Sequence, residues 1–127
     1  MDKQIILSDT APAPIGPYSQ AVMVNSTLYL SGQIAIDPAT NAVIKGDIEA
    51  ETRQVMQNIA AILQAYGLNF SHIAKTTIFI RNMDDFGRIN TVYGSFFEKD
   101  FPARETVEVS RLPKDVQVEI SCIAAKN

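Results

Sequence analysis

The spacing of apolar residues predicts one long amphipathic helix over residues 48–66. Apolar side chains recur there at intervals of three and four residues, which places them on one helical face. These residues are Val55, Met56, Ile59, Ile62, Leu63 and Tyr66. Asp47 is a residue type that caps helix N-termini, and Gly67 favours the left-handed conformation that ends helices. Both ends of this helix are therefore signalled in the sequence.

A second, shorter helix is predicted over residues 84–98, with Asp84 as its N-cap. Its apolar face would consist of Phe86, Ile89, Tyr93, Phe96 and Phe97. Gly87 and Gly94 each lower the helix propensity by about 1 kcal/mol relative to alanine. We therefore expect this helix to depend on packing against the rest of the protein.

The remaining periodic segments predict β-strands. Residues 20–24 and 28–36 flank a polar turn at 25–27, and further strands are predicted over 74–80, 105–110 and 116–124. Strands and helices in this order predict an α+β domain whose helices cover one face of a sheet. The length of 127 residues fits one domain that spans residues 1–127.

Alternation within two of these strands also predicts the character of the other sheet face. The side chains assigned to the helix side are Leu28, Leu30, Ile34, Ile36, Val116, Val118, Ile120 and Cys122, and those assigned to the opposite side are Tyr29, Ser31, Gln33, Ala35, Gln117, Glu119, Ser121 and Ile123. The opposite face is too polar for a second core and too weakly charged for open water. We therefore expect it to pack against another copy of the chain in a homo-oligomer.

Composition and charge exclude several classes of function. The chain has 46% hydrophobic and 20% charged residues and a formal net charge of −3, without a basic cluster. Nucleic-acid binders usually carry a basic face, so nucleic acid is not an expected partner. The N-terminus does not read as a signal peptide, and no apolar run approaches the ~20 residues that cross a bilayer. We expect a soluble, cytoplasmic protein with no membrane partner.

The scarcity of histidine and cysteine excludes further chemistry. His72 and Cys122 are the single residues of their types, which leaves no ligand set for a metal site. We expect His72 to be an ordinary surface residue and Cys122 a small buried hydrophobe. No glycine-rich phosphate loop is present, so the sequence predicts neither a metal nor a nucleotide cofactor.

Arg104 is the first candidate for a functional residue. The sequence FPAR at 101–104 places it near the start of a predicted strand, with Pro102 stiffening the approach. A guanidinium binds a carboxylate through two parallel hydrogen bonds and stays charged near neutral pH. The alternative is a surface ion pair between Arg104 and Glu105 or Asp100.

Glu119 and Tyr18 are the other candidates. Glu119 lies between two apolar residues on the face assigned to the interface, where partial desolvation would raise its pKa and suit it to move protons. An interface salt bridge is the alternative for Glu119. Tyr18 follows the stiff segment IGP, and its hydroxyl is placed either to contact a ligand or simply to pack.

Four segments resemble the signatures of the RidA/YjgF family: APIGPYSQ at 13–20, LSGQI at 30–34, FPAR at 101–104 and RLPKDVQVEI at 111–120. Their order and spacing match over essentially the whole chain. The resemblance implies a chorismate-mutase-like α+β domain, a mixed β-sheet with two helices on one face, that assembles as a homotrimer with ligand clefts between subunits. It also implies a cofactor-independent hydrolase of C–N bonds, which converts 2-iminobutanoate and 2-iminopropanoate to 2-keto acids and ammonia.

The same resemblance implies roles for individual residues. Arg104 matches the arginine that binds the substrate carboxylate, and Glu119 matches the acid that positions or activates the attacking water. Residues that match the pocket lining are Tyr18, Ser31, Gly32 and Asn90. Thr106 stands where many family members have cysteine, so a thiol nucleophile is not available, although its backbone is placed to contact the substrate.

Three other functions remain open at this stage. The first is a non-enzymatic trimer that binds a small carboxylate metabolite, which would need Arg104 but not a water-activating Glu119. The second is nucleic-acid chemistry or inhibition of translation, against which the charge and the single histidine count. The third is a chaperone-like holdase, which would need an exposed apolar surface that the sequence does not indicate.

Overall fold

A computed structural model, which describes residues 2–126, contains a six-stranded sheet with two helices against one face. The strands are β1 (Lys3–Ile6), β2 (Ala21–Val24), β3 (Thr27–Gln33), β6 (Ile73–Ile80), β7 (Ala103–Glu108) and β8 (Val118–Ala125), and the helices are α1 (Ile48–Ala65) and α2 (Phe86–Gly94). A separate two-stranded ribbon is formed by β4 (Ile36–Asp37) and β5 (Ala42–Val43).

The strand order in the sheet is β1-β2-β3-β8-β6-β7. Neighbouring strands are antiparallel except β6 and β7, which are parallel and joined through α2. This is the predicted α+β arrangement, a mixed sheet with two helices. The sequence did not predict β1, β4 or β5, because these strands are short and β1 includes charged and polar residues.

Helix α1 confirms the helix predicted over residues 48–66, and it ends one residue earlier than predicted. The Asp47 side chain accepts a hydrogen bond from the backbone N–H of Glu49 at 3.1 Å, as an N-cap does. Gly67 has φ = 76°, and the following N–H of Leu68 donates to the carbonyl of Leu63 at 2.9 Å. The chain therefore leaves the helix through a left-handed residue that glycine adopts without strain.

Helix α2 is shorter than predicted, and its cap was wrongly assigned. A single 3₁₀ turn (Met83–Asp85) precedes it, and the side chain of Asn82 caps that turn by accepting from the N–H of Asp84 at 2.9 Å. The helix ends at Gly94 rather than near residue 98. Phe96 and Phe97 lie in the turn beyond it and pack in an aromatic cluster with Phe70 and Tyr93.

The prediction for the end of the 28–36 strand was wrong, because β3 contains a bulge. Leu30 lies opposite Cys122 but Gln33 lies opposite Ile120, so three residues of β3 separate positions that are two apart on β8. The extra residue reverses the alternation. Gln33 is consequently buried on the helix side instead of exposed on the other face.

Beyond the bulge the chain leaves the sheet. Ala35 is buried in the main core, again in contrast to its predicted exposure, while Ile34 and Ile36 pack in a smaller apolar cluster with Val116. The side-chain amide of Asn58 donates to the carbonyls of Ile34 and Ile36 at 3.1 and 2.9 Å. This buried amide therefore connects residues 34–36 to α1, although the segment is not paired with a strand of the six-stranded sheet.

The main core lies between the helices and the sheet. Val118, Ile120 and Cys122 face it as predicted, and burial raises the pKa of the Cys122 thiol to about 12. Each such apolar side chain contributes about 1.5–3 kcal/mol when fully buried. The other face of the sheet, which no helix covers among residues 2–126, exposes Tyr29 and Val107.

Candidate functional site

The arginine half of the site lies between β7 and α2. Arg104 is opposite Thr76 of β6, and its Nη1 donates to the Asn90 side-chain oxygen at 2.7 Å. Its Cζ lies 5.5 Å from the ring centroid of Phe86 and 5.2 Å from that of Tyr93. We use the term arginine half for Arg104, Asn90, Phe86 and Tyr93.

The sequence of α2 explains why these three side chains meet one arginine. Phe86, Asn90 and Tyr93 are spaced i, i+4 and i+7, which places them on one stripe of the helix. The Tyr93 hydroxyl is hydrogen-bonded to that of Thr76 at 2.8 Å, and burial raises the pKa of Tyr93. The bond to Asn90 uses one of the five N–H donors of Arg104. The remaining donors are available to an anion in a cleft of about 310 Å³, which Phe101 and Pro102 also line.

Arg104 does not form the ion pair that was its alternative. Glu105 points to the opposite face of the strand, where its carboxylate lies 2.7 Å from the ammonium of Lys75, and this partner lowers the pKa of Glu105. Asp100 takes part in no salt bridge among residues 2–126. The guanidinium therefore has no carboxylate partner within the described chain.

The carboxylate half of the site is built on β8 and β3. Glu119 is partly buried, and this burial raises the pKa of its carboxyl group. It lines a small cavity of about 50 Å³ together with Tyr18, Gly32 and Pro113. Such a cavity has room for a few water molecules, since one occupies roughly 10–15 Å³ by this measure. We use the term carboxylate half for Glu119, Gly32 and Tyr18.

Gly32 is in close contact with the Glu119 side chain. A Cβ atom added at Gly32 would lie 2.8 Å from Cδ of Glu119, closer than real Cβ contacts allow. Only glycine therefore leaves space for the carboxylate in this position. The bulge of β3, which begins after Leu30, brings the Gly32 backbone to this point.

The loop before β2 closes the same cavity. The Tyr18 hydroxyl accepts from the backbone N–H of Ile15 at 3.1 Å, and the Ser31 hydroxyl donates to the carbonyl of Ser19 at 2.6 Å. Buried Gln20, which sequence reasoning missed, donates to the carbonyls of Ser8 and Pro12. These bonds give the predicted turn its fixed shape, and the Tyr18 hydroxyl hydrogen has no acceptor among residues 2–126.

The two halves lie on opposite faces of the sheet within one chain. Arg104 pairs with Thr76, which pairs with buried Cys122, so these three side chains are on the helix side. Glu119 pairs with Phe79, three residues along β6 from Thr76, and faces the other way. A single chain thus brings Asn90 to Arg104, and Tyr18 and Gly32 to Glu119, but it does not bring the two halves together. Ser31 lines a separate surface pocket with Ser19 and Tyr29.

Thr106 belongs on the helix side with Arg104, two residues earlier on the same strand. Its partner in β6 is Ile78, a core residue. The Thr106 hydroxyl oxygen is buried and has no hydrogen-bond partner among residues 2–126. Unpaired buried hydroxyls are uncommon in proteins, so this atom marks either a cost in stability or a contact made by another molecule.

His72 has a structural role, and the described chain shows no metal centre. His72 ends a 3₁₀ turn (Phe70–His72), and its Nδ1 accepts from the backbone N–H of Asn69 at 3.1 Å. No group of three potential ligands among histidine, cysteine, aspartate and glutamate is found within residues 2–126. In the same range, no helix combines the length and apolarity needed to cross a membrane.

Sequence reasoning misjudged Phe86. We predicted it on the buried face of the second helix, but 37% of its surface is exposed and its ring contacts Arg104. The spacing of Phe86, Asn90 and Tyr93 was a usable signal for this stripe. It was not recognised because aromatic residues at helical spacing usually belong to a core.

Comparisons with known proteins give a consistent family. The family model described as endoribonuclease L-PSP matches residues 8–126. The 2-iminobutanoate/2-iminopropanoate deaminase of Dermatophagoides farinae is 50% identical over 121 residues, which cover 95% of this chain and 94% of that protein.

Two solved structures have nearly the same fold. The Rid-family protein YyfA of Yersinia pestis, described as of unknown function, has a TM-score of 0.96 at 48% identity and covers 98% of this chain and 100% of its own. Escherichia coli TdcF with bound serine has a TM-score of 0.94 at 41% identity, covering 98% and 99%. The similarity therefore extends over whole chains.

Proposed function

Since this chain belongs to the RidA/YjgF family, we propose that it is an imine deaminase that hydrolyses 2-iminobutanoate and 2-iminopropanoate. The products would be the corresponding 2-keto acids and ammonia, and no cofactor would be needed. A relative of 50% identity carries the name of this activity. The proposal also rests on the chemistry of the two halves of the site.

We further propose that the complete site forms between two subunits of a homotrimer. The arginine half of one chain would meet the carboxylate half of the next, because the register places Arg104 and Glu119 on opposite faces of the same sheet. The uncovered face carries exposed side chains such as Tyr29 and Val107, which another subunit would bury. A closed ring of identical contacts satisfies both requirements at once.

In the proposed reaction, Arg104 binds the substrate carboxylate and fixes the imine carbon near Glu119. Water adds to this carbon while Glu119 accepts a proton from it, and the electron pair of the C=N bond moves to nitrogen, which takes that proton from Glu119. In the resulting carbinolamine, Glu119 accepts the proton of the new hydroxyl group and delivers it to nitrogen, so that the C=O bond forms as the C–N bond breaks. Ammonia leaves, the 2-keto acid remains and the carboxylate is regenerated.

The demands on the protein are modest. General acid–base catalysis by one positioned group contributes about 10²–10⁴-fold, and fixing the reactants contributes further. Burial makes the Glu119 carboxylate a stronger base than an exposed glutamate, since it raises the pKa. One cation and one carboxylate are therefore sufficient for this hydrolysis.

One observation favours an enzyme over a protein that only binds carboxylates. Glu119 is partly buried beside a cavity of water size and takes part in no salt bridge among residues 2–126. Holding a carboxylate in this way costs free energy. A protein that only binds carboxylates would gain nothing from it, whereas water activation requires it.

A second candidate function is a metabolite-binding trimer without catalysis. The observation in its favour is the bound serine in the similar structure of Escherichia coli TdcF, since serine is a small molecule that carries a carboxylate. The arginine half alone would explain such binding. The two functions differ in whether Glu119 takes part in turnover.

The test couples a threonine or serine dehydratase to the purified protein and follows 2-keto acid formation while free imine persists. We expect acceleration by the wild type, its loss in Arg104→Ala, and a loss of about 10²-fold or more in Glu119→Ala. Arg111→Ala is the matched control, because this exposed arginine pairs only with Asp115 at 3.3 Å in the described chain.

The outcomes separate the candidates. No acceleration by folded wild type with either imine, together with carboxylate binding that depends on Arg104, would leave the metabolite-binding function. Equal activity of Glu119→Ala and wild type would exclude the proposed role of Glu119. Sedimentation of the wild type tests the trimer independently.

A further inference from the structure

Glu51 is a buried carboxylate that the proposed reaction does not use. It lies in the first turn of α1, is 1% exposed and reaches the segment that begins β8. Its Oε2 accepts hydrogen bonds from the backbone N–H groups of Gln117 and Val118, at 2.7 and 3.1 Å. Its Oε1 accepts from the side-chain amide of Gln117 at 3.3 Å.

These hydrogen bonds occur at the start of β8, where that strand lacks one of its two neighbouring strands. The pairing of β8 with β3 ends at Ile120, opposite Gln33, whereas its pairing with β6 continues to Val118. The start of β8 therefore has a strand on one side only. There the Glu51 carboxylate accepts from the N–H of Val118, the first residue of β8, and from that of Gln117 just before it.

The backbone is thus fixed on both sides just before Glu119. The carbonyl of Gln117 accepts from the N–H of Arg81 at 3.0 Å, while its N–H donates to Glu51. Burial raises the pKa of Glu51, and the negative charge of nearby Asp85 adds to this effect. A carboxylate kept in such surroundings costs stability, which a purely apolar contact would avoid.

The Gly32 backbone limits the movement of Glu119 on one side. The Glu119 side chain lies against it so closely that one additional carbon atom would lie 2.8 Å from Cδ. A displacement at residues 117 and 118 would move the Glu119 backbone and change the position of the carboxylate relative to Gly32. The side chains of Glu51 and Glu119 lie on opposite faces of β8, so the connection runs through the backbone.

We propose that Glu51 is a positioning residue for Glu119, which it places against Gly32 by accepting the N–H groups of Gln117 and Val118. The inference rests on the proposed function for the effect on turnover. What matters for this role is the reach of the side chain and its acceptor oxygen, not its charge. In the sequence, only the position of Glu51 on the buried stripe of α1 indicates this role.

Two conservative variants of Glu51 separate the effect of side-chain length from the effect of charge. Glu51→Gln keeps the length, and its single carbonyl oxygen still accepts both backbone N–H groups, as Oε2 does in the wild type. Glu51→Asp keeps the charge but is one methylene too short to reach the β8 backbone. Glu49→Asp, in the same turn of α1, controls for the change of a helical glutamate to aspartate.

We expect Glu51→Asp to slow deamination about tenfold or more, since a misplacement of about 1 Å costs up to 10²-fold. Glu51→Gln should stay within about threefold of the wild type on the same scale of effects. The affinity for 2-ketobutanoate, which Arg104 would bind, should be unchanged in both. A general loss of structure would weaken this binding as well, so the split between rate and affinity distinguishes positioning from stability.

A second readout does not need activity. Carbon-13 NMR of labelled glutamate carboxyl groups follows the titration of Glu119, assigned with Glu119→Gln. We expect the Glu119 pKa to be lower in Glu51→Asp than in wild type, because water gains access to the displaced carboxylate, and unchanged in Glu51→Gln. Circular dichroism verifies that each variant is folded.

Several results would overturn the inference. One is a folded Glu51→Asp protein with wild-type rate and wild-type Glu119 titration. Another is a Glu51→Gln protein as impaired as Glu51→Asp, which would show that the reach of the side chain without its charge is not sufficient. If the wild type fails to hydrolyse either imine, the proposed function falls, and the titration of Glu119 still decides whether Glu51 positions it.

Discussion

The two halves of the candidate site are held in place by different means. Arg104 is fixed by side chains from one helix, through a hydrogen bond to Asn90 and ring contacts with Phe86 and Tyr93. Glu119 depends instead on where the backbone of β8 runs. Its immediate neighbour, Gly32, contributes space rather than a bond.

This difference implies different responses to substitution. The arginine half has several supports, so the loss of one should weaken binding by a small factor. The carboxylate half has fewer such supports, because strand register sets the positions of Glu119 and of the Gly32 backbone that it contacts. Changes there should act on the rate of the reaction, and changes to the arginine half mainly on affinity.

The largest effect is expected for Glu119→Gln, combined with a pH series. Burial raises the pKa of Glu119 above its ordinary value of 4.5, and the reaction needs the ionised form. The wild-type rate should therefore fall with decreasing pH, with a midpoint above 4.5. Glu119→Gln should lower kcat about 10²-fold or more and remove this dependence. A pH–rate profile of the same shape in the variant would contradict the assignment.

The same substitution should raise stability at neutral pH. Because the folded-state pKa of Glu119 is raised, protonation favours the folded state, an effect fully present below the unfolded pKa and lost as pH rises through the folded pKa. At neutral pH the ionised carboxylate therefore costs free energy that glutamine does not. Urea unfolding of both proteins at fixed protomer concentration measures this difference.

Gly32→Ala should have the next largest effect. The new methyl group would lie 2.8 Å from Cδ of Glu119 and must displace the carboxylate, so we expect kcat to fall about tenfold, as misplaced groups do. Gly87→Ala is the matched control. Nothing lies within 4 Å of its added Cβ, and its helical site should gain roughly 0.5–1 kcal/mol of stability. Wild-type kcat in Gly32→Ala would show that Glu119 has other productive positions.

The sequence predicted the parts of the fold that depend on local signals. Helix α1 was predicted well because its apolar stripe is long and Asp47 and Gly67 mark both ends. Helix α2 was less accurate, since a 3₁₀ turn capped by Asn82 takes over its predicted first residues. The bulge in β3 has no local signal, and this one feature reversed the predicted faces of Gln33 and Ala35.

The site residues show the same division between local and long-range information. Arg104 and Glu119 were candidates from their sequence settings, and family resemblance then implied a role for each. Neither source predicts the contacts of Glu51, because its partners lie 66 and 67 residues further along the chain. A carboxylate on the buried face of the helix was the available signal, and its partners required the three-dimensional structure.

A smaller effect is expected for Phe86→Leu in the arginine half. Its ring is partly exposed and lies 5.5 Å from Cζ of Arg104, so its loss should not unfold the protein. A cation–π contact at such a site contributes about 0.5–1 kcal/mol, which corresponds to a two- to fivefold weaker affinity for 2-ketobutanoate. Isothermal titration measures this affinity, and Phe86→Tyr should restore it. A large loss of kcat in Phe86→Leu with unchanged affinity would contradict our expectation that changes in the arginine half act mainly on affinity.

The smallest effect concerns Thr106, whose buried hydroxyl has no partner among residues 2–126. Thr106→Val removes this hydroxyl at constant shape, so we expect stability to be unchanged or higher by about 1 kcal/mol. Thr52→Val is the matched control: its buried hydroxyl donates to the carbonyl of Ile48 at 2.7 Å, and its removal should cost about 1 kcal/mol. Urea unfolding at fixed protomer concentration, with and without 2-ketobutanoate, gives both values. Destabilisation of Thr106→Val would mean that a neighbouring subunit supplies the missing partner, and a loss seen only with ligand would place that hydroxyl in contact with the bound carboxylate.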